Sequence, residues 1–155
     1  EIYSPVEGFT YLCEKSGYYI YTNDNYIPMG FTYDHYITEN EFLSLSEEDR
    51  GKILVSAVVL KTNQIPRYSS SLKHIENMDF YLGYDAVEYQ SKLRNDSASY
   101  YFQFDSDGFT SKIHLAKDNL VFFSVPYESG WKAYVNGKET AIEKVGVRPI
   151  HIWQR

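Results

Sequence analysis

The chain has almost no cysteine: Cys13 stands alone among 155 residues. An intramolecular disulfide is impossible, which excludes a small secreted module stapled by disulfides and leaves a Gram-positive exterior or a cytosol. Cys13 follows Tyr11-Leu12 in a strand-like run, so a small buried thiol is expected rather than a nucleophile. Long apolar runs are missing too. The longest, residues 53–60, falls far short of the roughly 20 residues that a spanning helix needs. Basic clusters are absent, with 15 Lys and Arg against 21 Asp and Glu and a net charge of −6. Without several cations to neutralise phosphates, no nucleic-acid partner is expected.

Catalytic signatures are equally scarce. There is no phosphate loop, dinucleotide fingerprint or Gly-x-Ser-x-Gly elbow. The four histidines, His35, His74, His114 and His151, never recur at the i, i+4 spacing of a zinc helix. Asp34-His35 places a carboxylate beside an imidazole, but no nucleophile accompanies it. Asp105-Ser106-Asp107 has a spacing that can hold a divalent cation, yet Asp107-Gly108 sits between two alternating runs and reads better as a hairpin turn. No catalytic residue, metal ligand or cofactor is therefore assigned.

What the chain does have is aromatic side chains, 16 Tyr and nine Phe. In short alternating runs these favour sheet, and the length suits one domain with a real core. Residues 9–13, 18–22 and 29–33 read as strands. Ser46 caps a helix whose first turn carries Glu47, Glu48 and Asp49, although the β-branched Val55, Val58 and Val59 leave its last turn open to being strand. Residues 62–71 read as a loop and 85–95 as a second helix. Residues 100–104, 109–115, 120–125, 131–135 and 138–144 then read as a meander. The predicted fold is mainly β: an antiparallel β-sandwich, jelly-roll or galactose-binding-like, with about two helices.

Asn136-Gly137 is the strongest turn signal, since both central residues of a type I′ turn need positive φ. Such a turn sets Val135 opposite Lys138, Ala133 opposite Thr140 and Trp131 opposite Ile142. Trp131, Ala133, Val135 and Ile142 then share a face expected to be buried. Tyr18, Tyr19 and Tyr21, with Tyr26, Tyr33 and Tyr36 after them, form either a platform for sugar rings or simply the core and surface of strands. Candidate ligand-binding residues are Tyr19, Tyr21, Asn23, Asn25, Tyr127 and Glu128.

Two blocks also carry a family resemblance. Leu120-Val121-Phe122-Phe123-Ser124-Val125 runs into Pro126-Tyr127, then Gly130-Trp131-Lys132-Ala133-Tyr134-Val135-Asn136-Gly137-Lys138. Upstream, Tyr21 and Asn23 lead to Asn25-Tyr26-Ile27-Pro28-Met29-Gly30-Phe31. Both resemble the extracytoplasmic part of the bacterial YfhO family of polytopic membrane proteins. The resemblance implies a lipid-linked sugar transferase of GT-C type, associated with decorating envelope polymers such as lipoteichoic acid. It also implies that the catalytic acids lie among membrane helices outside this chain, leaving this part catalytically inert. Residues 1–155 would be a single extracytoplasmic domain, excised from a larger protein on the outer face of a Gram-positive cell membrane. The implied partners are the membrane-embedded part of the same parent and an envelope glycan or lipid-linked sugar. The residues Val147 to Arg155 depart from the family pattern, so the domain is expected to be incomplete at its C-terminal end. Two other readings stay open: a stand-alone carbohydrate-binding module, and a structural interaction domain without glycan affinity.

Overall fold

In a computed structural model, which describes residues 7–146, strands β1 (Phe9–Lys15) and β2 (Tyr18–Asn23) form an antiparallel hairpin. It turns at Ser16-Gly17, both at positive φ, and a bulge between Tyr11 and Cys13 leaves Leu12 out of register. The short β3 (Phe31–Thr32) pairs with Val121–Phe122 far along the chain. Then the pairing becomes parallel. β4 (His35–Thr38) feeds α1 (Glu39–Ser44), α2 (Glu47–Ser56) and β5 (Ala57–Leu60), which returns beside β4 in the same direction.

Local chemistry explains each boundary. Thr38 caps α1 through a capping box: its Oγ1 accepts the Glu41 N–H at 3.3 Å, and the Glu41 carboxylate accepts the Thr38 N–H at 2.9 Å. Ser46 Oγ accepts the Asp49 N–H at 3.2 Å, and three acidic residues occupy the first turn of α2. Helix gives way to strand at Ala57, just where Val58 and Val59 bring β-branched side chains. α3 (Ile65–Tyr68) opens on a proline in its first turn, and β6 (Lys73–His74) then pairs parallel to the other edge of β4. A 3-10 turn (Met78–Tyr81) leads into α4 (Tyr84–Asp96). Hairpins β7–β8 (Tyr101–Phe104, Phe109–Lys112) and β10–β11 (Ala133–Val135, Lys138–Thr140) flank β9 (Val121–Phe122).

The parallel sheet, ordered β5-β4-β6, divides the core in two. Side chains alternate across it, as strand geometry requires. Val58 and Leu60 join Phe31, Tyr33, Tyr36 and Leu72 on one side; Ala57 and Val59 join Ile37, Phe42, Ile53 and Ile75 on the other. Helix α4 closes the first side with a charged residue. Arg94, only 1% exposed, donates through Nη1 to the Thr32 carbonyl at 2.6 Å and through Nη2 to Gln90 Oε1 at 3.2 Å. Asp34 lies 3.6 Å from Nη2, and the guanidinium sits 5.4 Å from the centre of the Tyr33 ring. Tyr33 in turn donates to the Leu54 carbonyl at 2.7 Å, and its burial raises the phenol pKa.

Among the described residues, strands are the commoner element, with four α-helices and small antiparallel sheets. The sandwich of two continuous antiparallel sheets is not found there: the ladders hold two or three strands each, and the buried one is parallel. The anticipated two helices are present, Ser46-capped and 84–96, while α1 and α3 are too short to leave a helical period. The 136–137 turn forms as predicted, with φ of 51° and 77° and the expected pairs Ala133–Thr140 and Val135–Lys138. Its inner face is not buried, however. Val135 is 60% and Ile142 38% exposed, because this ribbon pairs with no third strand among the described residues. Cys13 is exposed, not buried, since the hairpin carrying it is open on both faces. Residues 147–155, where a departure from the family pattern was expected, lie outside the described residues; Gly146, the last described residue, donates its N–H to the Val59 carbonyl at 3.2 Å.

Replacing Arg94 by Ala strands the Thr32 carbonyl and opens a cavity against Tyr33. Urea unfolding should show a loss of about 2–4 kcal/mol, and Arg94→Lys should recover only part of it, because an ammonium cannot reproduce the forked donors. Unchanged stability in Arg94→Ala would contradict the role assigned to this residue.

Candidate functional site

The tyrosine candidates fall on one face of the N-terminal hairpin. Cross-strand pairs put Phe9 opposite Asn23, Tyr11 opposite Tyr21 and Glu14 opposite Tyr19, so these six residues share a side. Tyr11 bridges its neighbours, with ring centres 5.8 Å from Tyr21 and 6.3 Å from Tyr19. The rings are open to solvent: Tyr19 is 50% and Tyr11 48% exposed. Loss of hydration, with the nearby Glu14 charge second, raises the Tyr11 pKa from 10.0, which keeps this phenol a hydrogen-bond donor at neutral pH.

Asn23 and Asn25 stand at the root of this face. Asn23 Oδ1 accepts the Asn25 N–H at 3.0 Å, an Asx turn that uses Asn23 for backbone support. Asn25 packs beside Gly8, where a Cβ would meet its side-chain amide at 2.8 Å. Gly8 has a φ of 86° and its carbonyl accepts the Asp24 N–H at 2.9 Å. The two asparagines therefore shape the end of the hairpin more than they present free amides. Of the other tyrosines, Tyr33 and Tyr36 are core residues, whereas Tyr18 and Tyr26 are exposed.

The remaining candidates, Tyr127 and Glu128, occupy the loop after β9. No hydrogen bond or ring contact among the described residues links them to the tyrosine hairpin. Glu128 joins a different group. With Asp107, Gly130 and Trp131 it lines a shallow depression of about 310 Å³. Trp131 is half-buried at its edge: the indole N–H donates to the Pro126 carbonyl at 3.2 Å, the ring lies 5.7 Å from Phe109, and it covers Gly108. A Cβ on Gly108 would come within 3.3 Å of the indole. Trp131 is thus neither a free anchor nor a core residue but one wall of a shelf. Lys144 sits 5.5 Å over the Tyr127 ring.

Sequence spacing alone does not bring Asp107 to Glu128, because the hairpin turn and the post-β9 loop meet through tertiary contacts such as those of Gly108 and Phe109 with Trp131. The turn itself is as predicted: the Asp107 N–H donates to Asp105 Oδ1 at 2.8 Å, and the Asp105 N–H to the Gly108 carbonyl at 3.1 Å. Chemically, two carboxylates beside an indole can accept hydroxyl hydrogen bonds while the ring stacks on an apolar face.

Residues 81–148 match the model of a family described as "Bacterial membrane protein YfhO". The resemblance to that family is therefore shown for this part of the chain, which holds α4, the Trp131 shelf and the 136–137 turn. The upstream block, Tyr21 to Phe31, lies outside the matched residues. The chain is also similar to "Uncharacterized protein YfhO" of Bacillus subtilis (strain 168), 46% identical over 35 residues, a stretch that is 23% of this chain and 4% of that protein. No solved structure matches. Among the described residues, no helix is long and apolar enough to cross a membrane.

Proposed function

We propose that this chain is an extracytoplasmic domain of a YfhO-like bacterial membrane protein. The parent acts in lipid-linked sugar transfer to envelope polymers such as lipoteichoic acid. The match of residues 81–148 to a bacterial membrane-protein family carries the reading. The domain presents surfaces and leaves bond-making to acidic residues elsewhere in the parent. Its partners are the parent's membrane-embedded part and an envelope glycan or lipid-linked sugar. Exposed rings at Tyr11 and Tyr19, and the carboxylates beside Trp131, are the chemistry that sugar recognition uses.

A topology reporter fused within residues 81–148 of the intact parent tests this directly. A periplasmic-type phosphatase should be active and a cytoplasmic reporter silent. The reverse pattern would overturn the extracytoplasmic placement.

The second reading is a carbohydrate-binding module built on the hairpin, favoured by the contiguous Tyr11, Tyr19 and Tyr21 rings. Calorimetry against envelope glycans should then show binding that falls at least about tenfold in Tyr19→Ala or Tyr21→Ala, as expected for one lost stacking ring. Absence of heat across those glycans, together with binding to the membrane-embedded half, would favour a structural interaction domain instead.

A further inference from the structure

We infer that the cleft between edge strand β6 and the 3-10 turn is a binding site for an uncharged sugar ring. It shares no lining residue with the Trp131 shelf or the tyrosine hairpin. Its volume is about 360 Å³, within the range of small-ligand sites.

Three features define what fits. Phe80 presents its ring to solvent, 75% exposed, and is held edge-on to Tyr81 at 5.4 Å. An exposed phenylalanine braced in this way offers a flat apolar surface, the complement of the C–H face of a pyranose. His35 lines the same cleft, with its ring 5.6 Å from Tyr81. Its Nδ1 is buried without a hydrogen-bond partner, a state that costs on the order of 1–3 kcal/mol. A sugar hydroxyl that reaches the His35 ring would supply the partner that Nδ1 lacks. A hydroxyl both donates and accepts, so it satisfies either tautomer.

Charge argues for a neutral ligand. Burial, the largest influence, lowers the His35 pKa and favours the uncharged imidazole at neutral pH. Lys73 and Glu76 both line the cleft, so its lining carries one cationic and one anionic side chain and no net charge from this pair. His74 is already engaged, its Nε2 lying 2.9 Å from the Glu41 carboxylate that closes the α1 capping box. Asn77 adds a donor and an acceptor for ring hydroxyls.

Saturation-transfer NMR on the full chain, with the methyl glycosides of glucose, galactose and N-acetylglucosamine at millimolar concentration, tests the site. At least one glycoside should show transfer to its ring-face protons, and its affinity should fall about tenfold in Phe80→Ala. Tyr19→Ala should leave that binding intact. In the unsubstituted protein, the ¹⁵N signals of the His35 ring should move on addition of the same glycoside, a readout that holds even if a variant folds poorly. The site is overturned by any of four results: silence with all three glycosides, unaltered binding in a folded Phe80→Ala, loss of binding in Tyr19→Ala, or static His35 signals. None of these outcomes depends on which side of the membrane the domain occupies, so they are separable from the topology result.

Discussion

A single buried guanidinium ties helix α4 to the strand that precedes the parallel sheet. Arg94 reaches from α4 to the Thr32 carbonyl and lies over Tyr33. A charge removed from water in this way is tolerable only when its donors are used, and here two of its nitrogens are. Around it, polar side chains repeat the same connection. Asn95 donates to the Tyr26 carbonyl at 3.1 Å, Ser99 Oγ to the Met29 carbonyl at 2.6 Å, and Asn119 to the Tyr33 carbonyl at 2.9 Å. The aliphatic-Pro-Met-Gly-Phe run is therefore held by the segment that matches the YfhO family, although the family match does not cover it. Gly30 is required at this junction, with a φ of 78° and Phe123 only 2.8 Å from where a Cβ would stand.

Outside the two core clusters many of the aromatic residues stay exposed, among them Tyr11, Tyr18, Tyr19, Phe80 and Tyr134. The hairpin 9–23 and the ribbon 133–140 each consist of two strands, too few to bury either face by themselves. Exposed rings on such ribbons have a large apolar area and a hydrogen-bonding tip, which suits contact with glycan or with another protein surface. The Trp131 shelf and the Phe80 cleft extend this pattern with carboxylates in one case and a neutral imidazole in the other.

Much of the local structure was legible from residue order. Asn136-Gly137, Asp107-Gly108 and the Ser46 cap each act through neighbours in sequence, and each forms the turn or cap its chemistry predicts. The family resemblance was readable for the same reason, since each of its two blocks is a contiguous run, and the later block lies within the matched residues 81–148. The parallel sheet was hidden. β4 and β6 are only four and two residues long, and β4 pairs His35 with Lys73 of β6 on one side and with Ala57 of β5 on the other, across intervening helices. The capping box Thr38-x-x-Glu41 went unread, because the six-residue α1 behind it is too short to show a helical period. Arg94 gave no signal, because a cation on a helix reads as solvated until the fold closes over it. Meeting points such as Asp107 with Glu128, or His35 with Phe80, depend on that closure and cannot be obtained from spacing.

The central claim is that the Arg94 junction makes the N-terminal block and the family-matched segment one cooperative body. Native-state hydrogen exchange measures this most directly. The amides of Thr32, Tyr36 and Ile37 should exchange with the same opening free energy, and the same denaturant dependence, as those of Gln90, Ser91 and Arg94. If α4 opens independently at markedly lower free energy while the sheet stays protected, the account is contradicted.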